Sequence, residues 1–370
     1  MRSGNRGAAM ADRATLRKDV GQLLVVGLES LALTGSERAW LRLLQPAGVI
    51  LFRRNIEAAS QTVDLLRQAT EAAGAPLLRC VDLEGGLVDR FRDLIAPMPS
   101  AASVAATGKA ALYRKHGALI GRSTRRLGLN ITFAPVIDLA LPVSKDVMRT
   151  RVVSDNPAEV VRYARSFLAG LQGERVLGCL KHFPGLGGGT LDSHHATPVI
   201  ERTAKELYEA DLLPYRELAP AAPMVMVSHA SYPQASRDPN PASISRYWIT
   251  DMLRKRIGYR GLIISDDMEM GGILTQTSIE DASIAAIAAG TDLIEICKDP
   301  ALVLAAYEAL LTRAEKSSAF RRRVETAARK VRSHKQRLLD RRPLRTPSTA
   351  EIENLRRETL AFRATVEKSS

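Results

Sequence analysis

The chain has 370 residues, 45% of them hydrophobic and 25% charged; this is the make-up of an ordinary globular protein and excludes a disordered or fibrous one. Its three cysteines, Cys80, Cys179 and Cys297, stand far apart inside apolar runs, which reads as buried thiols and excludes a disulfide framework. The formal charge of +13 lies at the ends: residues 301–370 hold 17 Lys+Arg against 8 Asp+Glu and residues 1–20 hold 5 against 2, leaving 31 against 30 between them. No nucleic-acid partner is therefore expected, and solvated terminal helices, or their docking to an acidic surface, account for the charge.

In chain order, residues 1–10 are rich in Arg, Gly and Ala and read as a disordered opening, with Met10 a second candidate start or the end of a targeting segment. No apolar middle of a signal peptide follows, and no run approaches the roughly 20 apolar residues that span a bilayer, so a cytoplasmic chain without a transmembrane segment is expected. Eight short runs rich in Val, Ile and Leu then recur, at 22–26, 48–52, 77–82, 131–135, 176–183, 224–230, 262–267 and 293–297. Several are apolar throughout, as parallel strands buried on both faces require.

Helical stripes fill the intervals. Ala59, Val63, Leu66, Ala69 and Ala73 make one after the second run. After the fourth, Asn156 is placed to cap, Pro157 to take the first helical position, and Glu159 falls three after the cap; Ser278 opens and Gly290 closes another helix, and Asp299 precedes Pro300 at the next. Eight strand–helix units of this α/β kind close most simply into a (β/α)8 TIM-type barrel, because right-handed crossovers place every helix outside a parallel sheet. An open doubly wound sheet is the alternative. We expect one domain over 11–340 and a basic C-terminal extension over 341–370, whose last helix, 350–364, packs on the barrel or pairs with another subunit.

A barrel predicts chemistry at the C-terminal ends of its strands, and unusual polar residues stand there: Asp82, Lys181, His182, His229, Asp266 and Asp267. In the segment 181–198, Gly185, Gly187, Gly188 and Gly189 give four glycines in five positions. This predicts a mobile loop over 185–193, not a packed one, that carries Asp192 and His194 to the barrel mouth. Alternate residues of an extended segment point the same way, so Asp192 can orient the His194 imidazole for proton transfer; a phosphate cradle is the other reading of such a loop. Asp266 is placed to serve as nucleophile for an anomeric carbon, with Asp267 turned to neighbouring backbone, unless both cap a helix. Asp82 is suited to accept from two sugar hydroxyls beside the fixed donors of Arg90, or the two form a structural ion pair. Arg151 adds a further cation.

At these segments the chain resembles family-3 glycoside hydrolases, in particular the single-domain bacterial β-N-acetylglucosaminidases. The family loop, Lys-His-Phe-Pro-Gly-His-Gly, four variable residues, Asp-Ser-His and a later Pro, is matched from Lys181 to Pro198 except at Leu186. The likeness extends to Gly48–Phe52 with Arg54 and Asn55, to Asp82-x-Glu84-Gly85-Gly86, to Ala134-Pro135-Val-x-Asp138 and to Ser265-Asp266-Asp267. It implies removal of a non-reducing terminal β-linked N-acetylhexosamine by a retaining two-step route: Asp266 as nucleophile, His194 supported by Asp192 as general acid and base, and Asp82, Arg90, Arg151, Lys181 and His182 holding the terminal sugar. Neither cofactor nor metal is implied, and the substrate is a small glycan or glycopeptide. The sequence departs from the family at Leu186, at Leu87 in place of Arg, and around Arg149-Thr-Arg151-Val-Val. These departures bear on the aglycone, and so on the anhydromuropeptides of peptidoglycan recycling, and leave the catalytic trio intact.

The rival readings are a family-3 β-glucosidase or β-xylosidase, a glycoside phosphorylase, a metal-dependent barrel hydrolase built on His182, His229 and Asp266, and a sugar-binding protein without turnover. The metal reading lacks the His-x-His that a two-metal barrel would carry on its first strand, which here reads Leu23-Leu-Val-Val-Gly27.

Overall fold

The structure, a computed structural model, describes residues 2–190, 196–339 and 342–369, with side chains from residue 12 onward. Eight parallel strands form a closed barrel: β1 (Leu24–Gly27), β2 (Gly48–Leu51), β3 (Leu78–Val81), β4 (Ile131–Thr132), β5 (Leu177–Phe183), β6 (Met224–Val227), β7 (Leu262–Asp267) and β8 (Leu293–Ile296). Each pairs with its successor in the chain, and β8 returns to β1 with Leu24 opposite Ile294. All eight expected runs hold a barrel strand, and closure leaves no unpaired edge.

Alternation along the strands divides the core in two. Val25, Ile50, Cys80, Phe133, Cys179, Met226 and Ile264 belong to the cluster that fills the barrel. Their neighbours Val26, Leu51, Val81, Leu180, Val225 and Ile263 join the larger layer between strands and helices. The three cysteines are buried free thiols, and burial pushes each of them well up.

The helices begin where their caps are. Asn156 accepts from the Ala158 N–H at the head of Pro157–Gly173, Ser278 from Asp281 at Ile279–Ala289, and Asp299 from Ala301 at Pro300–Lys316. Residues 2–10, expected to be disordered, run as backbone in the first turns of the helix Arg2–Gly21. Arg and Ala are strong helix formers, and lengthening a helix already nucleated costs little. Among the described residues, no helix is long and apolar enough to cross a membrane.

The last helix, Thr349–Glu367, opens on a capping box between Ser348 and Glu351. It docks on the barrel's own outer helix Ala110–Arg126. Phe362, fully buried, stacks on the His116 imidazole with ring centres 5.9 Å apart, and Arg126 and Arg122 pair with Glu351 and Glu358. The ion pairs are half-exposed and weak, so the apolar face carries the docking. Phe362→Ala is expected to lower the unfolding free energy by about 3–5 kcal/mol, read from urea denaturation; a change near zero would mean that this helix is not docked in solution.

Candidate active site

A cavity of about 140 Å3 opens at the C-terminal ends of the strands. Its polar side comes from three segments. Asp82 follows β3 directly, and Glu84 sits in the short hairpin Leu83–Gly85 with Val88–Asp89. Lys181 and His182 end β5, where the Lys181–His182 peptide is cis. Arg151 closes the helical turn Arg149–Arg151.

These charges neutralise one another. Arg151 holds Glu84 in two-pronged fashion, Nε to Oε2 at 2.9 Å and Nη2 to Oε1 at 2.8 Å. Lys181 Nζ lies between Glu84 at 2.7 Å and Asp82 at 2.9 Å, and Arg90 stands 3.5 Å from Asp82 while lying over the Phe52 ring. Burial alone would push Glu84 up; Arg151 and then Lys181 outweigh it and hold the carboxyl well below its usual range. Burial would likewise lower Lys181, but Asp82 and Glu84 raise it. Lys181 is therefore a fixed cation and not a nucleophilic amine. The ion pair expected between Asp82 and Arg90 exists, but Lys181 is the closer partner.

His182 donates from Nδ1 to Asp138 at 2.7 Å, and its Nε2 faces Arg151 Nη2 at 3.4 Å. Asp138, fully buried, also accepts the backbone N–H of His182 and, at 2.7 Å, that of Leu186. One carboxylate thus fixes the imidazole and the root of the glycine-rich loop together.

On the opposite wall, the penultimate residue of β7, Asp266, lines the cavity, its Oδ1 accepting the Asp267 N–H at 3.0 Å. Asp267 turns to backbone, accepting from the Glu269 N–H at 3.1 Å. Burial pushes its pKa up to about 7, against the hydrogen bond from Glu269 that lowers it. Beneath both, His229 accepts from the Ser243 hydroxyl at 2.7 Å and donates from Nε2 to the Asp267 carbonyl at 2.9 Å. Burial lowers its pKa, so the ring is neutral. With both ring nitrogens engaged, His229 has none to offer a metal, and among the described residues no three His, Cys, Asp or Glu side chains are placed to hold one. Val88, Val147, Met148, Leu186 and Met270 supply the apolar part of the cavity wall.

Asp192 and His194 lie outside the described residues. The root of their loop is described, and it corrects the sequence reading of the glycines. A Cβ at Gly187 would stand 2.5 Å from the Leu139 carbonyl oxygen, one at Gly188 2.9 Å from Ile200, and one at Gly185 3.0 Å from Asp211. Gly187 is therefore required by close packing against backbone and Gly185 by its φ of 138°, while Gly188 sits tightly against the Ile200 side chain, so the root of the loop is packed and not slack.

Sequence reasoning gave no role to Glu84, Asp138 or Glu295, and considered His229 only as a strand-end metal ligand. Glu84 and Asp138 stood inside quoted motifs, and an acidic residue just past an apolar strand was the available signal. Glu295 faces the barrel interior between Leu293 and Cys297, where the Cys297 thiol donates to its Oε1 at 3.1 Å and burial pushes its carboxyl well up. A lone Glu in the run Leu-Ile-Glu-Ile-Cys was the signal there.

Residues 15–334 match the model for the glycosyl hydrolase family 3 N terminal domain. The chain is 35% identical over 303 residues to a beta-hexosaminidase of Idiomarina loihiensis, covering 80% of this chain and 90% of that protein. Among solved structures, a family 3 β-N-acetylglucosaminidase from a Paenibacillus species superposes with a TM-score of 0.85 at 29% identity, over 94% of this chain and 68% of that one. A β-N-acetylhexosaminidase from Beutenbergia cavernae gives 0.80 at 29% identity, over 87% and 98%. A parallel barrel with a small, charged pocket at its strand ends and these likenesses together define a glycosidase, acting on O-glycosyl bonds. The chain belongs to glycosyl hydrolase family 3.

Two outcomes test the electrostatics. Glu84→Gln leaves two buried cations short of an anion and is expected to destabilise the fold by about 3–5 kcal/mol in chemical denaturation; a negligible loss would show that Asp82 alone suffices for Lys181 and Arg151. Asp267, raised in the folded state from its ordinary 3.8 to about 7, favours folding most at low pH, and that contribution is lost as pH rises between these values. Asp267→Asn should flatten this fall in stability relative to the parent chain, and parallel curves for the two would contradict the assignment.

Proposed function

We propose that this chain is a retaining, exo-acting β-N-acetylhexosaminidase that removes a non-reducing terminal β-linked GlcNAc. The observation that carries the reading is the cavity itself. It is monosaccharide-sized, with one carboxylate, Asp266, on one wall and a neutralised ring of Asp82, Glu84, Arg90, Arg151 and Lys181 across from it. A pocket of that size admits a chain end and not a chain interior. The names of the similar proteins supply the sugar.

In this reading Asp82, Arg90, Arg151, Lys181 and His182 hold the terminal sugar. Asp266 attacks C1 as the glycosidic C–O bond breaks, and His194, oriented by Asp192, gives its proton to the departing oxygen. Water then adds to C1, His194 takes its proton, and the Asp266 ester bond breaks with inverted geometry a second time. A neutral imidazole repels the nucleophile less than a second carboxylate would.

Asp266→Ala is expected to cut turnover of an aryl β-N-acetylglucosaminide by roughly three orders of magnitude or more, with azide restoring product as the α-glycosyl azide. Near-parental rates would remove Asp266 from the mechanism. His194→Ala should lose about 10²–10⁴-fold on substrates with poor leaving groups and little on activated ones; equal losses on both would argue against proton donation. A panel of aryl GlcNAc, GalNAc, glucose and xylose substrates, with and without phosphate, tests the sugar and the acceptor.

A further inference from the structure

The root of the glycine-rich loop is gripped by one ion pair, and neither of its members has a part in the reaction just described. Asp211 ends the helical turn Leu207–Asp211 and is 2% exposed. Its Oδ2 stands 3.1 Å from Arg202 Nη2, and among the described residues no other side chain bonds to it. The two partners press on the two ends of one short turn. A Cβ at Gly185 would lie 3.0 Å from both Cβ and Oδ1 of Asp211, and one at Gly188 would lie 3.1 Å from Cδ of Arg202. Between these contacts Leu186 lines the sugar cavity, as does Gly189 just beyond them, whose N–H donates to the Leu186 carbonyl at 2.9 Å. Gly189 stands five residues before His194 in the chain.

The groups facing Asp211 leave its charge to Arg202. Asp138 and Glu206 are negative and oppose ionisation. Burial pushes the Tyr215 and Tyr232 phenols well up, so both stay neutral, and the Tyr232 hydroxyl donates to the Gly185 carbonyl at 2.8 Å. Burial raises Asp211 itself to about 7, against the lowering by Arg202. Ionised, Asp211 draws the guanidinium across the turn while the stem of Arg202 packs on Gly188; protonated, it loses most of that attraction. The turn then keeps its hydrogen bonds to Asp138 and Tyr232 and loses its clamp. A shift of about 1 Å in the base of a loop is enough to slow a reaction that its side chains must reach.

We propose that the Asp211–Arg202 pair positions the base of the loop for the proton transfer assigned to His194, and does so only while Asp211 is ionised. The proposal rests on the preceding reading for the part given to His194. The pair acts through the loop and touches no substrate.

Asp211→Asn keeps the shape of the side chain and removes its charge. With an aryl β-N-acetylglucosaminide bearing a poor leaving group, turnover by this variant should match the parent well below pH 7 and fall behind it by roughly ten- to a hundredfold well above. An activated leaving group should show little difference at either pH. Arg202→Gln leaves Asp211 harder to ionise and should move the rise in turnover to higher pH, whereas Arg202→Lys should keep it near the parental position. Urea denaturation separates positioning from packing. The fall in stability that Asp211 causes as pH rises from its ordinary 3.8 to about 7 should be absent from Asp211→Asn, so this variant gains stability relative to the parent over the range in which it loses rate. A rate ratio that is the same at every pH, or rate and stability lost together, reduces the pair to packing and overturns the proposal. Near-parental turnover by Asp266→Ala would strike the preceding reading instead and leave these comparisons standing.

Discussion

The carboxylate of Glu84, gripped by Arg151 on one side and Lys181 on the other, joins three segments that the chain delivers separately: the hairpin after β3, the helical turn at 149–151 and the end of β5. Desolvating so many charges costs several kcal/mol per ion, and their mutual attraction does little more than recover it. The network is thus weak as a source of stability and strong as a source of geometry. Any one member left unpaired would be a bare charge in a nearly dry site, so the three segments have one arrangement in which all are satisfied. The shape of the pocket follows from that arrangement, and the Asp138 carboxylate extends it to His182 and the loop root.

Adjacent carboxylates acquire different properties from this frame. Asp266 lines the cavity, whereas Asp267, one residue on and facing the other way, is dry enough to be pushed up to about 7. Neutral His229 beneath them braces the strand end through the Asp267 carbonyl without adding charge. Glu295, deeper in the barrel, is also raised, first by burial and then by the negative charge of Asp82 and Asp267. Alternation along the strand end thus leaves the Asp266 carboxylate at the cavity and turns that of Asp267 to the backbone N–H of Glu269.

Much of this was legible in the sequence because it depends on short-range pattern. Apolar runs marked the eight strands, and Asn156, Ser278 and Asp299 marked helix starts, since caps act within one turn. The opposed directions of Asp266 and Asp267 follow from strand alternation alone. What could not be read depends on registry between distant segments. Glu84 meets Lys181 only because β3 and β5 flank β4 at matching heights. The glycines at 185, 187 and 188 look like slack until Asp211, Leu139 and Ile200 are seen pressed against them. Charge counted along the chain placed the basic excess at the ends, and it could not show Arg79, Arg125 and Arg175 of the body converging on Arg342 and Arg345 of the extension.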